Sequence, residues 1–130
     1  MSNKPLIRIL YAEDEEDIRE IAKIALEDVG GFTVKYCSNG LEVLAEAKAF
    51  QPDLMLLDVM MPEMDGVSTL KELRKIAGLK TIPAIFMTAK IQTDEIAEYK
   101  SMGILGVINK PFDPMKLAKN IREIWESHGE

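Results

Sequence analysis

Five side chains in this sequence are of the types that handle phosphoryl groups and hard cations, and each stands where an apolar run stops. Glu13 and Asp14 follow Leu6-Ile7-Arg8-Ile9-Leu10-Tyr11-Ala12. Asp58 closes Leu54-Met55-Leu56-Leu57. Thr88 closes the run from Ile82, and Lys110 follows the run from Gly106 to Asn109. Three carboxylates brought together repel one another and raise one another's pKa. A hard divalent cation relieves that repulsion, and Mg²⁺ is commonly held by one or two carboxylates with waters and phosphate oxygens. The lysine adds a second positive charge and the threonine a hydroxyl donor. Such a group suits a dianionic phosphoryl group on, or arriving at, Asp58. Carboxylate nucleophiles that become aspartyl-phosphates are an established covalent strategy, and cations at the site would neutralise the charge that develops during transfer.

The elements needed to bring these residues together are legible in the pattern. The first apolar run reads as a strand. The acidic run Glu13 to Asp17 then opens a helix, because acids favour the positive end of its dipole. Its expected stripe is Ile18, Ile21, Ala22, Ala25 and Val29, ended by Gly30-Gly31. Phe32 to Cys37 reads as a second strand. Ser38 is the expected cap of a second helix carrying Leu41, Leu44, Ala45 and Ala49. Leu54 to Asp58 is a continuous apolar run, as a buried parallel strand requires. After the turn Pro62 to Gly66, the residues Val67, Leu70, Leu73 and Ala77 mark a third helix closed by Gly78. Ile82 to Thr88 is a fourth strand. Thr93 to Met102 is a fourth helix with a thin stripe of Ile96, Ala97 and Tyr99. Gly106 to Asn109 is a short fifth strand. Asp113 caps a last helix with Pro114 at its first position, and Leu117, Ile121, Ile124 and Trp125 form its apolar face. Five alternations of strand and helix imply an α/β fold with a parallel sheet covered on both faces. Right-handed crossovers place every C-terminal strand tip, and so all five polar residues, along one edge.

Composition excludes several function classes. The chain of 130 residues is one domain in size, and 47% hydrophobic residues are enough for one core. The net charge of -6 argues against a nucleic-acid-binding domain. The single Cys37 excludes an internal disulfide and reads as an inert buried thiol. The start, Met1 to Pro5, has no signal segment behind it. No apolar run approaches the ~20 residues of a membrane helix. The expectation is a single cytoplasmic domain over residues 1–130.

The sequence resembles the receiver domains of two-component response regulators. The matching motifs are Glu13-Asp14, the loop Asp58…Met61-Pro62…Met64-Asp65-Gly66, Thr88-Ala89 and Lys110-Pro111-Phe112. The likeness runs from Ile7 to about Trp125 and rests on all four motifs in this order. It implies a flavodoxin-like three-layer sandwich with five helices and a five-stranded parallel sheet in the order 2-1-3-4-5. It implies Asp58 as phosphoacceptor, charged from a phosphohistidine on a sensor histidine kinase or histidine phosphotransfer protein. It implies a Mg²⁺ site of Glu13, Asp14, Asp58 and the Met60 backbone carbonyl. Lys110 would bind a phosphoryl oxygen and Thr88 would move toward it. Lys110-Pro111 commonly carries a cis peptide in this family.

Other residues have plainer readings. Glu15, Glu16 and Asp17 serve the helix start. Asp65 is a turn residue beside Gly66. Met55, Met60, Met61, Met64 and Met87 fill core and loop rather than a soft-metal site. His128 is a solvated side chain in a polar tail. The chain also departs from its family. Val107 stands three residues before Lys110, where many members carry the Tyr or Phe that turns inward on activation. Met60 and Lys90, two residues after Asp58 and Thr88, occupy positions that tune phosphoryl hydrolysis. No output segment follows Trp125, so the expectation is a stand-alone receiver that signals through another protein, or a fragment of a longer regulator. Its expected catalysis is limited to its own phosphorylation and dephosphorylation. The rivals are a phosphorelay intermediate or phosphate sink, and a small Mg²⁺-dependent phosphohydrolase. Phosphohydrolases of the haloacid dehalogenase type usually carry a second Asp where Met60 stands.

Overall fold

The computed structural model describes residues 5–89 and 93–128, with the side chains of 93–96 and 128 set aside. The readings made for Met1 to Lys4, Lys90, Ile96 and the His128 side chain lie outside the described residues. The elements alternate in chain order: β1 Arg8–Ala12, α1 Glu16–Lys23 with a π-helical continuation Ile24–Val29, β2 Thr33–Cys37, α2 Gly40–Phe50 and β3 Leu54–Asp58. Then come α3 Gly66–Leu73, β4 Ala84–Thr88, α4 Thr93–Ser101, β5 Ile104–Asn109 and α5 Leu117–His128. The five strands form one parallel sheet in the order β2-β1-β3-β4-β5. This is the flavodoxin-like arrangement that the resemblance implies. No helix among the described residues is long and apolar enough to cross a membrane.

The sheet divides the core by the period of two along a strand. Tyr11 and Ile9 from β1, with Leu54 and Leu56 from β3, pack beneath α1 and α5, where Ala22, Leu26, Leu117 and Ile121 meet them. Leu10, Met55, Leu57 and Phe86 face the other way, onto Val43, Ala47, Leu70, Leu73 and Tyr99 of α2, α3 and α4. Every residue of β3 is buried. A strand enclosed on both faces explains why its sequence is a continuous apolar run rather than an alternation.

Several helix details differ from the sequence expectation. Ile21 and Val29 are exposed, while Ala22, Ala25 and Leu26 are buried. For Val29 the cause is the π segment, where the Gly30 N–H reaches back five residues to the Ala25 carbonyl at 3.1 Å. The wider turn shifts the phase of the stripe by one residue, so Gly30 is buried where a regular helix would bury Val29. In α2 the cap is Asn39, not Ser38. The Asn39 side chain accepts the Glu42 N–H at 2.9 Å, and the Ser38 N–H and hydroxyl donate back to the Glu42 carboxylate at 2.9 and 2.5 Å. This resembles a capping box, with Glu42 reaching the residue before the cap rather than the cap itself. The buried face of α2 is Gly40, Val43 and Ala47, with Leu41, Ala45 and Ala49 exposed and Leu44 only partly covered. A Cβ on Gly40 would sit 2.0 Å from Thr69 Oγ1, so the face against α3 has to be small there.

α3 ends at Leu73 and leaves Ala77 exposed. Arg74 closes its end, donating to the carbonyls of Leu79, Ile82 and Met102. β4 begins at Ala84, after Pro83, and β5 begins two residues earlier than its apolar run implied. In α4 the anchor is Tyr99, edge-to-face on Phe86 with ring centroids 4.8 Å apart, whereas Ala97 is exposed. Asp113 accepts the Met115 N–H at 2.9 Å, but Pro114 stands in a turn and regular helix begins at Leu117. Cys37 is buried, and burial pushes its thiol pKa up to about 11.

Candidate functional site

Glu13, Asp14, Asp58, Thr88 and Lys110 meet along the C-terminal edge of the sheet because four neighbouring parallel strands end there. The Glu13 N–H continues the ladder to the Cys37 carbonyl at 3.0 Å, which holds the acidic pair at the tip of β1. β3 delivers Asp58. Its following residue, Val59, donates to the Met87 carbonyl at 2.9 Å and accepts the Gly66 N–H at 2.9 Å. The loop thus folds back over the strand end, and only glycine fits there: a Cβ on Gly66 would lie 2.4 Å from the Asp58 carbonyl oxygen. Asp65 caps α3, accepting the Ser68 N–H at 2.7 Å, so its role is local as expected. Glu63 at the loop crest has φ 68, a left-handed conformation unusual for a non-glycine residue.

β5 delivers Lys110, whose N–H donates to the Thr88 carbonyl at 2.9 Å. The Lys110–Pro111 peptide is cis. The Lys110 ammonium donates to Asp58 Oδ2 at 2.7 Å and to Glu13 Oε1 at 2.8 Å. Glu13 is fully buried and Asp58 is 3% exposed. Two buried carboxylates therefore share one cation, the arrangement that makes burying them tolerable. Burial by itself would lower the Lys110 pKa. The hydrogen bonds and charges of Asp58 and Glu13 outweigh it, and the ammonium titrates above the ordinary lysine range.

The remaining donors fix the carboxylates in place. Asp58 Oδ1 accepts the Met60 N–H at 3.1 Å. Glu13 Oε2 accepts the Glu15 N–H at 3.2 Å, and Oε1 also faces the Tyr11 hydroxyl at 3.4 Å. Arg19 donates to the Glu13 carbonyl at 2.7 Å. Tyr11 and Arg19 escaped the sequence reading. Alternation along β1 puts Tyr11 on the side of Glu13 and was the one cue available for it. Thr88 is half-buried at the end of β4, and Asp14 is exposed.

One carboxylate oxygen from each of Glu13, Asp14 and Asp58 lies within 4.8 Å of the others. An all-oxygen donor set with one open, exposed member fits a hard divalent cation that keeps several waters, as Mg²⁺ does. Met60 continues the loop beside this group and is 74% exposed.

Comparison with known proteins agrees with this geometry. A family model described as the response regulator receiver domain matches residues 9–122. The chain is 33% identical to the Synechocystis protein "Response regulator Rre1" over 91% of its own length and 51% of that protein's. It is 32% identical to "Chemotaxis protein CheY-3" of Vibrio cholerae, covering 92% of each. Among solved structures, the Vibrio cholerae chemotaxis response regulator CheY4 superposes with a TM-score of 0.84 at 29% identity, covering 92% of this chain and 99% of that one. The chain spans about half the length of the curated relatives it first matches, at 51%, 45% and 50%. The sheet order, the shared edge and these likenesses together establish that the chain belongs to the response regulator receiver domain family.

Proposed function

We propose that this receiver domain is a phosphorylation-controlled switch in which Asp58 accepts a phosphoryl group from a phosphohistidine on a sensor histidine kinase or histidine phosphotransfer protein. The observation that carries the reading is the Lys110 ammonium held between Asp58 and Glu13 beside an exposed third carboxylate. An Asp58 oxygen attacks the donor phosphorus, the P–N bond of the phosphohistidine breaks, and the electron pair leaves with the imidazole. Lys110 neutralises an oxygen of the transferred group. The Met60 N–H holds the second Asp58 oxygen and so orients the nucleophile. The Thr88 hydroxyl, one strand away, becomes a donor to the new phosphoryl oxygens.

Mg²⁺ would be held by Glu13, Asp14, Asp58 and the Met60 carbonyl. When bound it neutralises charge on the transferring group.

The chain would catalyse only its own phosphorylation and dephosphorylation, act in the cytoplasm, and signal by contacts with another protein rather than with nucleic acid. A phosphorelay intermediate or phosphate sink would use the same chemistry. Met60, in the place of a second acid, disfavours a turnover phosphohydrolase.

Acetyl phosphate with Mg²⁺ should add one phosphoryl group to the intact chain, and Asp58→Asn should abolish it. Full labelling of Asp58→Asn, read by mass spectrometry, would overturn the assignment.

A further inference from the structure

Glu13 is fully buried, and its Oε1 meets two donors among the described residues: the Lys110 ammonium at 2.8 Å and the Tyr11 hydroxyl at 3.4 Å. The same ammonium reaches Asp58 at 2.7 Å. A phosphoryl group on Asp58 would add negative oxygens on that side and draw the ammonium away from Glu13. A buried carboxylate oxygen stripped of its donor is costly. We propose that Tyr11 is a positioning residue of the phosphoryl site: its hydroxyl takes over Glu13 Oε1 as Lys110 turns to a phosphoryl group on Asp58. This rests on the phosphoacceptor reading of Asp58.

The geometry of Tyr11 suits that role. Its contact is longer than the ~2.8 Å of an optimal O–H···O bond, so there is slack to close when the ammonium leaves. The ring is completely buried and sits edge-to-face on Tyr36 at 6.1 Å, while the Tyr36 hydroxyl is anchored on Glu27 at 2.7 Å. The hydroxyl is therefore delivered from a fixed ring. An ordinary phenol is protonated at neutral pH, so the hydroxyl is a donor. Glu13 Oε2 is meanwhile kept in place by the Glu15 N–H. The carboxylate can change donors on one oxygen without losing its orientation. Lys110 is then released from Glu13 with a protein donor still on Oε1.

The test is a titration with beryllium fluoride, a phosphoryl mimic, in saturating Mg²⁺, followed by amide NMR signals around Asp58. Wild type, Tyr11→Phe, Glu13→Asp and the double variant are compared. Tyr11→Phe removes one oxygen, and its unfolding midpoint without ligand should change little. Its affinity for the mimic should fall by about tenfold, the effect of one unsatisfied buried group. Glu13→Asp keeps the charge but draws it out of reach of Tyr11, so in that background Tyr11→Phe should have no further effect. Equal affinity of wild type and Tyr11→Phe overturns the inference alone. The same loss in both backgrounds also overturns it, because the hydroxyl would then act through packing. A wild-type chain that binds no beryllium fluoride overturns the phosphoacceptor reading and this inference together.

Discussion

Lys110 Nζ lies 2.7 Å from Asp58 Oδ2 across 52 residues of sequence, and the contact joins β5 to β3 over the end of β4. The side chain that would receive the phosphoryl group is thus already paired, through Lys110, with the backbone carbonyl of Thr88. One residue, Lys110, therefore bonds both Asp58 and the end of the strand that precedes α4.

Lys110→Ala is expected to leave slow phosphorylation by acetyl phosphate while uncoupling it from the conformational change. Removing the ammonium also leaves Glu13 and Asp58 as buried carboxylates without their cation, so stability should fall by about 3 kcal/mol. Chemical denaturation and amide exchange of the labelled protein measure the two effects. Wild-type labelling rate and exchange in this variant would reduce Lys110 to a surface cation.

Metal binding should separate the two acids of the pair. Asp14 is exposed and offers an open oxygen, whereas Glu13 is buried and already occupied by protein donors. Asp14→Ala should therefore lose Mg²⁺ affinity more completely than Glu13→Ala, as measured by calorimetry. Excess chelator should stop phosphorylation of the wild type.

Gly66→Ala should damage the site from a distance. The new Cβ would lie 2.4 Å from the Asp58 carbonyl oxygen, so the loop has to move away from the strand end. A cost of about 2 kcal/mol is expected for such overpacking. Slower labelling of Asp58 should accompany it. Unchanged stability and labelling would show that the loop yields freely.

Activation should be read at α4 and β5 without an aromatic switch. Val107 is half-buried on the side of the sheet that holds Phe86 and Tyr99, and is too small to sweep the volume of a Tyr or Phe. Loop and backbone movement after Thr88 then carries the change. Hydrogen exchange with and without beryllium fluoride should differ most over residues 89–107. Thr88→Ala should shrink the difference, and Val107→Ala should alter it little. Changes confined to α1 and α5 would defeat this mechanism.

Stability should decline in alkali from about pH 9 upward. Burial raises the pKa of Cys37 to about 11 and those of Tyr11 and Tyr36 further, and the paired carboxylates raise Lys110. In each case the folded state binds the proton more tightly. The stabilisation is complete below the ordinary pKa of the group and is lost as pH rises through the folded value. Unfolding midpoints between pH 8 and pH 11 measure this. Tyr36→Phe should flatten the fall above pH 10, and an unchanged slope would remove Tyr36 from the account.

The sequence by itself determined the order of elements and which polar residues end the strands. A strand buried on both faces has to be apolar throughout, so the place where Leu54 to Leu57 gives way to Asp58 is visible in one dimension. The right-handed crossover rule then puts Glu13, Asp58, Thr88 and Lys110 on one edge. The faces of the helices were less legible. The stripe of α1 assumed a uniform helical period, and the π turn buried Gly30 in the place expected for Val29. α2 presents Gly40, Val43 and Ala47 rather than its leucines, and at Gly40 the approach of Thr69 leaves no room for a side chain. What only the tertiary structure decided is the bonding within the site. That Glu13 is sealed, that Lys110 is shared between two carboxylates, and that Tyr11 waits on Oε1 depend on rotamers and burial set by β1, β3 and β5 together. No local pattern encodes the Lys110 distances, because they join residues 97 and 52 positions apart in the chain.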